Sequence, residues 1–256
     1  MIRHRVSHRS LMTATIALLA CTGACSEQEV GINLRRSADE RPDVTSETLA
    51  QGRIAVPGGV AFNLKSFRSE QDQDARGESR AVGTDGAACK AEARNGGSAW
   101  GEFLLGYDFD NRTGRVLDAV VRVRLQYTDK IELDAGSLED DQDPATASTT
   151  LVFEIKDSNG VAIRRETLAG STGLKRARSQ RGSREAFFDV RFEPELGYYL
   201  AVYGKCQARA AKSGSVSVTL EISKYELDIE WQDRRAAVSP ATEATAAPPT
   251  TVVRLP

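Results

Sequence analysis

The chain has 256 residues, 34 Lys and Arg against 36 Asp and Glu, a formal net charge of −2 and 6% aromatic residues. That balance argues against general nucleic-acid binding, which needs a basic face, and the length suits one ordinary domain with a real core. Only two histidines, His4 and His8, are present, so imidazole chemistry is scarce from the outset.

At the N-terminus, Arg3, Arg5 and Arg9 flank a short, largely apolar run from Leu11 to Ala20. This is the layout of a secretory signal, and the run is too short to span a bilayer as a helix. Leu18-Leu19-Ala20-Cys21 resembles the lipobox of bacterial lipoproteins. The resemblance implies that residues 1–20 are a signal peptide and that Cys21 becomes the first residue, carrying a lipid such as palmitate. It also implies export and anchorage in the bacterial cell envelope, at the outer membrane. Cys25 after Thr22-Gly23-Ala24 offers a rival cut that fits less well, because Thr22 stands where Leu18 does.

Cleavage after Ala20 would remove both histidines. Ser-His-Asp and Cys-His machinery and His-rich zinc sites would then be excluded together. No Ser-x-x-Lys and no Gly-x-Ser-x-Gly occurs. The expected protein is therefore not an enzyme, although glycoside hydrolysis asks only for two carboxylates and stays open on composition.

Residues 21–52 are polar and charged and read as a flexible tether. The folded domain is expected at 53–235, interrupted by a long polar, Gly-rich loop at 68–98. Residues 236–256, rich in Pro, Ala and Thr, read as a disordered tail.

Within the domain the hydrophobic period is two. Val121, Val123, Leu125 and Tyr127 alternate with Arg122, Arg124 and Gln126, and Leu151, Phe153 and Ile155 repeat the pattern. Phe188, Val190 and Phe192 follow, then Tyr198, Leu200, Val202 and Cys206, whose shared parity turns Cys206 inward. In the last strand Val216, Val218, Leu220 and Ile222 give way to Tyr225, Leu227, Ile229 and Trp231, so a bulge is expected near Ser223-Lys224. Turn chemistry predicts hairpins: Asp157-Ser158-Asn159-Gly160 a type I′ turn, Asn111-Arg112-Thr113-Gly114 the same between its flanking strands, and Lys212-Ser213-Gly214 a turn into the last strand. About eight strands without a convincing amphipathic helix predict an all-β fold, an antiparallel β-sandwich of the jelly-roll or immunoglobulin-like kind.

Cys89 and Cys206 are expected to form a disulfide in an oxidising compartment, closing a loop of about 118 residues; two separate buried thiols are the alternative. Over residues 149–222, Leu151-x-Phe153-x-Ile155-x-Asp157-Ser158-Asn159-Gly160 and Phe192-x-Pro194-x-x-Gly197-Tyr198-Tyr199-x-x-Val202 resemble the bacterial pre-peptidase C-terminal domain. That resemblance implies an accessory, non-catalytic β-sandwich.

Four features are candidate sites. Asp134, Glu139, Asp140, Asp141 and Asp143, with Glu132, offer hard oxygen ligands to calcium or form a solvated loop. Asp108, Asp110 and Asn111 resemble them in type, although their place in a turn favours turn-making. Lys175, Arg176, Arg178, Arg181 and Arg184 form a basic loop suited to an anion. Trp100, Trp231, Tyr198, Tyr199 and Tyr203 offer a sugar-stacking platform or core filling. The expected function is a lipid-anchored envelope module that binds an envelope glycan or another envelope protein, with no nucleic-acid partner and no cofactor beyond calcium. A carboxylate-dependent glycan-active enzyme, or a carbohydrate-binding domain, is the alternative.

Overall fold

The computed structural model describes residues 41–134, 145–172 and 177–232. The leader, Cys21, most of the expected tether and the 236–256 tail lie outside these residues.

Strands follow one another along the described chain. They are β1 (Asp43–Val44), β2 (Arg53–Val56), β3 (Leu64–Gln71), β4 (Ala75–Val82), β5 (Gly86–Arg94), β6 (Ser98–Asn111) and β7 (Leu117–Leu133). After these come β8 (Thr146–Asp157), β9 (Ala162–Thr172), β10 (Arg178–Phe192), β11 (Gly197–Arg209) and β12 (Ser215–Trp231). One short helix, α1 (Ser46–Ala50), is started by a Thr45–Thr48 capping box.

The strands form two sheets. The first runs β1-β6-β11-β8-β9 with β3 also on β6; the second runs β10-β7-β12-β5-β4 with β2 also on β12. Apart from the short parallel β1–β6 contact, the pairings are antiparallel, and the inner faces pack into one core: the chain is a β-sandwich. Alternation selects the inner set as expected. Val121, Val123, Leu125 and Tyr127 on β7, and Tyr198, Leu200, Val202 and Cys206 on β11, are all buried. The β12 register slips between Ile222 and Lys224, which keeps both halves of that strand facing the core. At one end Phe109, Phe192, Tyr198 and Trp231 pack ring against ring, with Phe192 and Tyr198 centroids 4.7 Å apart. The Tyr198 hydroxyl donates to the Glu193 carbonyl, 3.1 Å away, a tyrosine corner that fixes the start of β11.

Three expectations need correction. Residues 68–98 are not a loop, because β3, β4, β5 and the start of β6 occupy them. Their apolar face is hidden from a periodicity search because it consists of small residues, Ala87, Cys89, Ala91 and Ala93 on β5, while β3 and β4 are polar outer strands. Glycine closes the sandwich here: a Cβ on Gly77 would stand 2.4 Å from the Trp100 carbonyl, and one on Gly101 2.4 Å from that of Glu78. The expected tether also ends early, since β1 and α1 lie within 41–52 and Arg41 is tied into the first sheet.

The expected hairpins are the third correction. Asn111–Gly114 and Lys212–Gly214 carry the chain between sheets, β6 to β7 and β11 to β12, rather than joining paired strands. Asp157–Gly160 does join paired strands, β8 and β9, but only Gly160 has positive φ (83°) and a register shift follows at Ile155/Lys156. Asp157 Oδ1 accepts from the Asn159 and Val161 amides, so the loop takes a type I turn with a glycine bulge instead of type I′. Cys89 and Cys206, the expected disulfide pair, are buried free thiols with Sγ atoms 3.1 Å apart.

Candidate functional site

Alternation that buries one face of each sheet presents the other to solvent, and the two outward faces differ. On the first sheet, Tyr199 and Tyr203 of β11 point outward, while Tyr198 between Gly197 and Tyr199 points into the core. Tyr203 is in register with Leu104 on β6 and Val152 on β8, and Gln207 with Trp100. Tyr199, Tyr203 and the Gln207–Trp100 rung therefore recur every four residues, a spacing of about 13 Å along the strands. Leu64, Leu104, Val152 and Ala201 share this outward side and are buried, yet none belongs to the main core cluster.

Polar groups fix each ring. The Tyr203 hydroxyl donates to Glu102 Oε2 at 2.8 Å, and burial, followed by that hydrogen bond to a carboxylate, pushes its pKa up. Trp100 donates Nε1–H to Glu70 Oε2 at 3.0 Å and carries Lys205 Nζ 5.4 Å from its ring centroid. Tyr199 lies under Arg41, whose guanidinium carbon is 4.8 Å from the ring centroid and which also donates to the tyrosine hydroxyl. Burial raises the Tyr199 pKa; the Arg41 charge opposes that shift and Asp108 and Asp110 add to it.

Arg41 is itself 8% exposed and pairs with Asp110 Oδ1 at 3.2 Å and Asp108 Oδ2 at 3.8 Å. Arg112 reaches Asp110 Oδ2 and Glu195 Oε2, both at 3.2 Å. These two aspartates are thus committed to arginines rather than presented to a ligand. Asn111 does what its turn position suggested: its Nδ2 donates to the Arg115, Phe192 and Glu193 carbonyls, and its Oδ1 accepts from Thr113.

The second sheet's outward face is a lattice of ion pairs. Arg124 meets Asp228 at 2.8 Å and Glu226 at 3.1 Å, Arg53 meets Asp228 at 3.0 Å, and Arg122 meets Glu185. The hydrogen bond from Lys224, with Arg124 and Arg122 nearby, holds the Glu226 carboxyl below its usual range. Its one large exposed ring among the described residues, Phe187, is covered on one side by Arg122.

The remaining candidates divide. Of the calcium set, Glu139, Asp140, Asp141 and Asp143 lie outside the described residues; Glu132 pairs with Lys130, and the Asp134 amide donates to Ser215. Of the basic set, Lys175 and Arg176 lie outside the described residues, while Arg178, Arg181 and Arg184 belong to β10 and not to a loop. Arg178 and Arg184 register with the inward Ile131 and Leu125, and Arg181 with the outward Thr128, so the three do not converge. Trp231 belongs to the core aromatic cluster with Tyr198.

No family model matches the chain, and no curated protein does. Among solved structures it is similar to a family 11 carbohydrate-binding module from Clostridium thermocellum in complex with a β-1,3-1,4-mixed-linked tetrasaccharide. Identity is 13%, covering 63% of this chain and 87% of that one, with a TM-score of 0.23. Carbohydrate-binding modules of the β-sandwich superfamily give 12% identity over 76% of this chain and 64% of the other, with a TM-score of 0.24. Scores this low carry no weight on function, and the sandwich stands on the strand pairing itself.

Proposed function

We propose that this protein is a non-catalytic, lipid-anchored module of the bacterial cell envelope that binds glycan on the outward face of the first sheet. The observation that carries the reading is the outward row of partly exposed rings, Tyr199, Tyr203 and Trp100, with the buried Leu104, Val152 and Ala201 on the same side. Aromatic faces take the apolar faces of sugar rings, and flanking carboxylates, amides and ammonium groups take the hydroxyls. Gln207 and Lys205 stand beside the row in register, while Glu102 is buried and accepts from the Tyr203 hydroxyl. On this side Glu102, Asp108 and Asp110 are held by Tyr203, Arg41 and Arg112, Glu70 by Trp100 and Glu154 by Lys156, which favours binding over the acid–base pair a glycosidase needs.

Export and lipidation at Cys21 are supported by the lipobox-like Leu18-Leu19-Ala20-Cys21 and would set the module at the outer membrane. Labelling cells with a tagged palmitate checks this part: label should enter the protein and be lost in Cys21→Ala. For binding, the chain is titrated with soluble envelope polysaccharides by calorimetry. Binding that falls about tenfold in both Trp100→Ala and Tyr203→Ala is the expected result, a loss of about 1.4 kcal/mol each. Binding unaffected by either change, or turnover of the glycan, would refute it.

A further inference from the structure

The inner face holds a feature that glycan binding does not use. Cys89 on β5 and Cys206 on β11 come from opposite sheets and meet in the core, 1% and 0% exposed. Their Sγ atoms lie 3.1 Å apart, and Cys206 Sγ is 3.3 Å from the Cys89 carbonyl. In the first sheet Cys206 stands in register between Gly101 and Thr149, with Ser171 beyond; in the second, Leu220 separates Cys89 from Asp129.

Gly101 makes the close approach possible, since a Cβ there would stand 3.3 Å from Cys89 Cβ. Ser171 donates to Asp129 at 3.0 Å across the core. One level of the sandwich therefore carries two thiols, two hydroxyls and a carboxylate, whereas the rungs to one side carry Phe103, Leu151, Ala91, Val218 and Ile131. Packing alone would be served by a pair of alanines or valines.

We infer that Cys89 and Cys206 are an oxidisable pair that closes a covalent cross-link between the two sheets when the chain meets a disulfide-type oxidant. In the reaction one thiol loses its proton and attacks the oxidant's sulfur, releasing a small thiolate. The second cysteine's thiolate then displaces the remaining oxidant half. One S–S bond forms, one breaks, and the oxidant leaves as two thiols carrying the two protons. The sulfurs need to approach by only about 1 Å to reach bonding distance. Burial, contact with Cys89 and the Asp129 charge hold the Cys206 thiol's pKa well above its ordinary value. Closure is therefore slow, proceeding through transient openings of the fold.

The test treats the reduced full-length chain with oxidised glutathione under native conditions, followed by non-reducing peptide mapping and thermal unfolding. The expected result is a linked Cys89–Cys206 peptide and a melting temperature raised by about 10 °C, reversed by reductant. Cys206→Ala should give neither; if it fails to fold, Cys89→Ala serves. Two thiols that still alkylate fully on unfolding after exhaustive oxidant, a link to Cys25 instead, or a cross-linked chain no more stable than the reduced one would overturn the inference. Glycan binding by the reduced chain is a separate readout, so either proposal can fail without the other.

Discussion

The outward faces of the two sheets arise from the same alternation and differ in what occupies it. On the second sheet the outward positions of β7 and β12 are mostly polar or charged, and several of the charges pair with a cross-strand neighbour, as Arg124 does with Asp228 and Glu226. On the first, the central outward positions of β6, β11 and β8 are Leu104, Tyr203 and Val152. Ion pairs on a surface contribute little, whereas the partly exposed rings of Tyr199, Tyr203 and Trp100 keep apolar area that a ligand can cover, beside Leu104, Val152 and Ala201, which are already buried.

Removing Arg41 should produce the largest effect. Arg41→Met would leave Asp108 and Asp110 buried beside the first face without their shared guanidinium. The expected loss is about 3 kcal/mol or more in denaturant unfolding, because breaking a buried pair strands the other charge. An unchanged midpoint would show that the cluster is not part of what holds this face. Asp228→Asn on the second face should cost less, about 1 to 2 kcal/mol, since Arg53 and Arg124 are 55% and 40% exposed and can rehydrate. Smallest is Glu185→Ala, which removes an exposed partner of Arg122 and should stay within about 0.5 kcal/mol.

Two core tyrosines of the first sheet make stability depend on pH. Burial pushes Tyr107 and Tyr198 up to about 12 in the folded protein, against an ordinary value near 10.0. Above pH 10 the unfolded chain would lose these protons while the native one keeps them. Their stabilisation is therefore complete below about pH 10 and lost as pH rises toward 12. Stability measured from pH 8 upward should fall along that window together with the appearance of tyrosinate absorbance. Full tyrosinate absorbance near pH 10 with the fold intact would contradict the burial of these rings.

How far the sequence alone could go varies along the chain. β7, β10, β11 and β12 were legible because their inward residues are large and branched, and even the bulge at Ser223 showed as a slip of parity. β3, β4 and β5 were hidden, since β3 and β4 are polar outer strands, alanines and a cysteine form the core side of β5, and Gly77 and Gly101 admit backbone where side chains usually stand. Asn111–Gly114 looked like a hairpin turn, because turn chemistry is local and does not say whether the next strand stays in the same sheet.

The candidate site was half legible. Parity separates Tyr198 from Tyr199 once Leu200 and Val202 are known to face inward. Only strand pairing brings Trp100 into line with Gln207, and nothing local to Arg41 announces that it covers Tyr199.

The central claim is that the first sheet's outward face is the binding face. The most direct measurement titrates one envelope polysaccharide into the wild-type chain, Tyr203→Ala and Phe187→Ala side by side. Each change removes an outward ring, one from each sheet. About a tenfold loss of affinity is expected in Tyr203→Ala and none in Phe187→Ala. Equal affinities in all three, or a loss confined to Phe187→Ala, would contradict it.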